Sequence, residues 1–125
     1  MTNNAVILIV EDNVANQLLA SAVLEREGYR VEVASSSDEA LDRLKSQAPD
    51  LILMDVQLPG IDGLSLTRLL KADERTASIP VVALTALAMR GDRERTLDAG
   101  CAGYISKPID TRTFAAEVRK YLSRV

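Results

Sequence analysis

Four apolar bursts in this chain each end in a polar side chain. The run Leu51-Ile52-Leu53-Met54 stops at Asp55. The run ending at Val10 gives way to Glu11, Asp12 and Asn13, the one ending at Leu84 to Thr85, and the one ending at Ser106 to Lys107 and Pro108. Alone, each is ordinary: an acidic pair after a strand is usually a turn or a cap, and a single lysine is usually surface charge. Together they supply three carboxylates, a hydroxyl and an ammonium. Two carboxylates about 4 Å apart repel by roughly 4 kcal/mol at an effective dielectric of 20, so three of them require a cation. A few hard, partly hydrated oxygens suit Mg²⁺, which commonly bridges carboxylates to a phosphate. With Lys107 adding a third positive charge and Thr85 donating to an equatorial oxygen, the Asp55 carboxylate is equipped to attack phosphorus and become an acyl phosphate.

Composition limits the alternatives. There is no histidine, which excludes triads with a histidine base, helix-borne HExxH zinc sites and a phosphohistidine on this chain. Any imidazole chemistry must come from a partner. A net charge of −3 argues against direct nucleic-acid binding. The single cysteine, Cys101, cannot form an internal disulfide and is assigned no function. The apolar run Ala5 to Val10 is too short for a signal or a membrane span, so a reducing cytoplasm is the expected address. At 125 residues, 47% of them hydrophobic and 3% aromatic, a single domain over 1–125 with an aliphatic core and no further module is expected.

The elements that position these groups follow from periodicity. The bursts 5–10, 29–34, 51–54, 80–84 and 102–106 read as strands. Between them lie helical stripes: Ala15, Leu18, Leu19, Ala22 and Val23 with a stop at Gly28; Ala40, Leu41, Leu44 and Ala48 capped by Ser37 or Asp38; Leu66, Leu69 and Leu70; and Phe114, Val118, Tyr121 and Leu122 after Asp110 or Thr111. A fourth helix, Met89 to Ala99, is polar on most sides and only marginally buried. This alternation predicts an α/β fold: a three-layer, doubly wound parallel sheet of five βα units, flavodoxin-like, in strand order 2-1-3-4-5. Its binding crevice lies beyond the carboxyl ends of the strands at the switch point between strands 1 and 3. Glu11, Asp12, Asp55, Thr85 and Lys107 all sit at those ends.

At these residues the chain closely resembles the receiver domain of two-component response regulators, the CheY-like fold. The motifs are "ILIVEDN", "DLILMDVQLPGIDG", "PVVALTA" and "GYISKPI", and the match spans nearly the whole chain. The wording is most similar to stand-alone regulators of the DivK type; a receiver cut from a hybrid histidine kinase is the alternative. The resemblance implies phosphorylation at Asp55 by a phosphohistidine on a histidine kinase or phosphotransfer protein that docks near the first helix. It implies magnesium held by Asp12, Asp55 and the carbonyl of Gln57, with Glu11 acting through water. It further implies phosphoryl contacts from Lys107, Thr85 and the amides of Gln57 and Ala86, a cis peptide before Pro108, and Tyr104 as the aromatic that swings inward.

Downstream protein partners are then expected to read the face formed by the fourth helix, fifth strand and fifth helix, carrying Arg90, Arg93, Arg95 and Arg119. The apolar Leu87 suggests slow to intermediate loss of the phosphoryl group. Such a protein is a switch that assists its own phosphorylation and dephosphorylation rather than an enzyme. A haloacid-dehalogenase-type phosphatase would need a second aspartate at position 57, where this chain has glutamine. A flavin carrier would need a Ser, Thr or Gly-rich first loop, where this one has Glu11-Asp12-Asn13.

Overall fold

The computed structural model describes residues 5–86 and 92–122. Five strands and five helices alternate: β1 (Val6–Val10), α1 (Val14–Arg26), β2 (Arg30–Ala34), α2 (Ser37–Ser46), β3 (Leu51–Asp55), α3 (Gly63–Ala72), β4 (Val81–Thr85), α4 (Asp92–Asp98), β5 (Gly103–Ser106) and α5 (Phe114–Leu122). The strands form one parallel sheet in the order β2-β1-β3-β4-β5. Strand limits fall within one residue of the apolar bursts, because β1, β3 and β4 are buried along their whole length and burial on both faces is what a continuous apolar run encodes. Among the described residues no helix is long and apolar enough to cross a membrane.

Strand alternation divides the core into two layers. Leu8, Val10, Ile52, Met54, Val81 and Ala83 point to one face, where they meet Ala40, Leu66, Leu70 and Ala99. Ile7, Ile9, Leu51, Leu53, Val82 and Leu84 point to the other and meet Ala20, Leu24, Phe114 and Val118. Helices α2, α3 and α4 therefore cover one face, and α1 and α5 the other. Cys101 is buried in the first layer, and burial pushes its thiol pKa up, which keeps it an inert packing group.

Several helix details differ from the sequence reading. In α1 the buried residues are Ala20, Val23 and Leu24, while Leu18 is 66% exposed and Val14, Ala15, Leu19 and Ala22 also face solvent. The helix carries apolar side chains all round, so spacing alone defines two stripes and cannot say which meets the sheet. Leu69 on α3 is likewise exposed, although Leu66 and Leu70 are buried. The α2 cap is Ser36, whose hydroxyl accepts from the Glu39 amide, and Ala48 lies beyond that helix. Glycine stands where α1 turns out, with Gly28 at φ 92, a conformation other residues resist. The carbonyl of Asp110 accepts from the Phe114 amide and its carboxylate from the Arg112 amide, so it caps a short turn that leads into α5. Of the expected fourth helix, Met89 to Gly91 lie outside the described residues, as do Leu87 and Arg90.

Candidate functional site

The carboxyl ends of β1, β3, β4 and β5 open on a cleft lined by Asp12, Asp55, Gln57, Thr85, Ala86 and Lys107, among others. Asp55 is the last residue of β3 and is 3% exposed. Glu11 follows β1 and is 1% exposed, while Asp12 is open to solvent. One oxygen from each of Glu11, Asp12 and Asp55 lies within 4.8 Å of the other two.

Lys107 counters this charge. Its Nζ lies 2.8 Å from Glu11 Oε1 and 3.0 Å from Asp55 Oδ2. Burial alone would lower the lysine pKa, but the bonds to Glu11 and Asp55 and the charges of both acids outweigh it, and the net direction is upward. The remaining carboxylate oxygens accept from backbone: Asp55 Oδ1 from the Gln57 amide at 3.0 Å and Glu11 Oε2 from the Asn13 amide at 3.2 Å. Glu11 Oε1 has the lysine beside it but no well-aligned hydrogen-bond donor. Three hard oxygens, one of them buried without an aligned donor and two of them facing one ammonium, fit a hard dication such as Mg²⁺.

Local structure explains why Asp55 is held there. Directly after β3 the chain turns, and the Val56 amide donates to the Leu84 carbonyl while the Gly63 amide donates back to Val56. Asp62 caps α3 by accepting from the Ser65 amide; that bond, opposed by partial burial, keeps the Asp62 pKa below the usual carboxylate range. Gly63 begins α3 directly against the backbone of Asp55: a Cβ there would collide with the Asp55 carbonyl oxygen and carbon. Ser37, expected as a cap, instead donates its hydroxyl to the Ile61 carbonyl at 2.6 Å and braces the same loop from α2. Gln17 of α1 donates to the Glu11 carbonyl at 2.6 Å and to Ser35 at 3.1 Å, fixing the acidic loop.

Of the remaining residues singled out from sequence, Thr85 is buried at the end of β4, and Ala86 and Gln57 are exposed on the cleft. Tyr104 is half-buried on β5 and packs against the α2–α3–α4 layer. It pairs in register with Ala83, while Thr85 pairs with Ser106, so Tyr104 and Thr85 share one face of the sheet, two register positions apart. The Lys107–Pro108 peptide is cis. Arg119 departs from expectation: it bonds Glu27 at the end of α1 at 3.0 Å and belongs to the α1–α5 layer, not to the surface around α4. Arg95 of α4, in contrast, lines the cleft itself. Gly63 and Gln17 escaped the sequence reading, while Ser37 and Arg95 were assigned other roles there, a helix cap and a partner-facing surface. Gly63 alone carried a signal, a glycine in the first turn of a helix where helix propensity disfavours it.

Residues 7–119 match the family model described as "Response regulator receiver domain". The polar-differentiation response regulator DivK of Brucella ovis is 47% identical over 116 residues, covering 93% of this chain and 94% of that protein. Among solved structures, the receiver domain of a sensor histidine kinase from Pseudomonas aeruginosa, with a magnesium ion coordinated in its active-site cleft, superposes with TM-score 0.87 at 38% identity. It is covered over 97% of this chain and 99% of that one. The signal receiver domain of a histidine kinase from Syntrophus aciditrophicus gives 0.88 at 37%, over 97% and 92%.

Proposed function

The chain belongs to the response regulator receiver domain family, a phosphoacceptor signalling role, and on that premise we propose that Asp55 is the residue phosphorylated. The observation that carries this reading is the convergence on one rim of Asp55, two further carboxylates, Thr85 and Lys107 from four strand ends. Nothing in folding asks every central strand to end in a polar group aimed at the same cleft.

Lys107 holds one Asp55 oxygen and the Gln57 amide the other, so the nucleophile is oriented before a donor arrives. Glu11, Asp12, Asp55 and the Gln57 carbonyl would hold magnesium, which supplies charge neutralisation on the phosphoryl oxygens. The donor is a phosphohistidine on a histidine kinase or phosphotransfer protein, since this chain has no histidine. Transfer breaks its N–P bond and forms an O–P bond at Asp55. Val14, Leu18 and Leu19, exposed on α1 beside the acidic loop, supply the apolar docking surface for it.

Phosphorylation adds about −1.5 to −2 charges and new acceptor oxygens, which the Thr85 hydroxyl, the Ala86 amide and Lys107 bind. Movement of Thr85 toward them frees space on the face it shares with Tyr104, whose ring turns inward and reshapes the α4–β5–α5 surface read by a downstream protein. The role is that of a cytoplasmic switch, not of an enzyme with turnover. It serves equally in a lone regulator and in the receiver part of a histidine kinase. Incubation with acetyl phosphate, with and without Mg²⁺, tests the reading by intact-mass measurement. One phosphoryl group is expected on the wild type with metal and none on Asp55→Asn; equal labelling of both proteins would overturn it.

A further inference from the structure

A second cation reaches the cleft, from an element the phosphoacceptor chemistry does not otherwise use. Arg95 lies on α4, yet its side chain lines the same cleft as Asp55, Thr85, Ala86 and Lys107. The residue beside it on the helix faces the core. Thr96, next to it, is 2% exposed and donates its hydroxyl to the Arg93 carbonyl at 2.7 Å, and the Ala99 amide donates to the carbonyl of Arg95. Thr96 thus faces the core while Arg95, its neighbour on α4, is exposed and lines the cleft.

The charge balance leaves work for it. Lys107 is engaged by two carboxylates at 2.8 and 3.0 Å, so its ammonium is already shared before any phosphoryl group is present. A phosphoryl group on Asp55 would bring nearly two further negative charges. A guanidinium, with a planar fork of donors, binds phosphoryl oxygens in a directed, two-pronged manner that an ammonium cannot match. Magnesium and phosphoryl oxygens differ in sign, so a cation at this position must favour one and disfavour the other.

We propose that Arg95 is a phosphoryl-positioning residue that clasps the modified Asp55 from α4 and thereby ties the position of that helix to the state of the site. This rests on the assignment of Asp55 as phosphoacceptor. It adds to the Thr85–Tyr104 path a direct link from phosphoryl group to α4.

The test is titration of ¹⁵N-labelled protein followed by amide NMR, first with magnesium chloride alone and then with beryllofluoride at saturating magnesium. Wild type, Arg95→Ala, Arg95→Lys and Asp55→Asn are compared. Arg95 is exposed, and thermal melts check that its variants remain folded. Arg95→Ala is expected to weaken beryllofluoride binding about tenfold, as for loss of one charge-assisted contact, with Arg95→Lys in between. Magnesium affinity should stay equal or tighten, and the beryllofluoride-induced shifts of residues 93–98 should shrink. A merely structural role would weaken both ligands together. Unchanged beryllofluoride affinity in Arg95→Ala, or parallel loss of both, overturns the proposal while leaving Asp55 intact as acceptor. If wild type and Asp55→Asn behave alike toward beryllofluoride, the Asp55 assignment itself falls, and this inference with it.

Discussion

Replacing Asp55 by asparagine should stabilise the metal-free protein. The oxygens of Glu11, Asp12 and Asp55 lie within 4.8 Å of one another. At an effective dielectric near 20 each of the two pairs involving Asp55 costs at least about 3.5 kcal/mol, together about 7 kcal/mol. Lys107 at 3.0 Å returns about 5.5 kcal/mol on the same scale. The balance of about 1.5 kcal/mol stands against the carboxylate, and solvent around the exposed Asp12 trims it toward about 1 kcal/mol. Asparagine keeps an acceptor for the Gln57 amide and removes the charge. In EDTA the melting temperature of Asp55→Asn should therefore exceed that of wild type by about 3–5 °C for a domain of this size. Magnesium at ten times its dissociation constant should then add about 1.4 kcal/mol to wild type and much less to the variant, closing or inverting the gap. Calorimetry in EDTA and in a magnesium series checks both halves. A variant less stable than wild type by more than about 1 kcal/mol without metal, or equal magnesium-dependent gains in the two proteins, would show that the three oxygens do not act as one strained anionic site.

Gly63→Ala should cost about 1–3 kcal/mol in urea unfolding, because the added methyl meets the Asp55 carbonyl, even though alanine is the better helix former by about 1 kcal/mol; its magnesium affinity should fall as well, and wild-type values in both would contradict the role given to that contact. Lys107→Met leaves Glu11 and Asp55 uncompensated and should cost about 3 kcal/mol at neutral pH without metal. Since the folded-state pKa of Lys107 is raised above 10.5, its stabilisation is complete below that value and is lost as pH rises through the folded pKa; the wild-type and variant stability curves should run parallel through neutral pH and converge only in strong alkali. Lys71→Met removes the ammonium that donates to the carbonyls of Ala77 at 3.1 Å and Ile79 at 2.5 Å; a loss of about 1–2 kcal/mol and faster amide exchange across 73–79 are expected.

The fold was nearly all legible because a doubly covered parallel sheet writes itself as apolar runs with polar ends. The same rule located Glu11, Asp12, Asp55, Thr85 and Lys107, since the crevice of such a sheet lies where those runs stop. What escaped was orientation about helix axes. The two apolar stripes of α1 look alike in sequence, and only the sheet decides that Ala20, Val23 and Leu24 turn inward. Arg119 and Arg95 both leave the shared face expected of them for the same reason: periodicity places a residue on a helix, whereas the neighbouring elements decide whether it meets Glu27 or the cleft. The collision that reserves position 63 for glycine involves a backbone atom eight positions earlier in the chain, a contact no local pattern encodes.

The two-sided core has a practical corollary. Thr85 and Tyr104 belong to one sheet face, and the layer of Leu24, Phe114 and Val118, closed by the Arg119–Glu27 clasp, to the other. That second layer acts as ballast. Substitutions of its α1 residues, Ala20, Val23 and Leu24, should set how much heat or denaturant the molecule withstands while leaving the amplitude of the response at α4, β5 and α5 untouched.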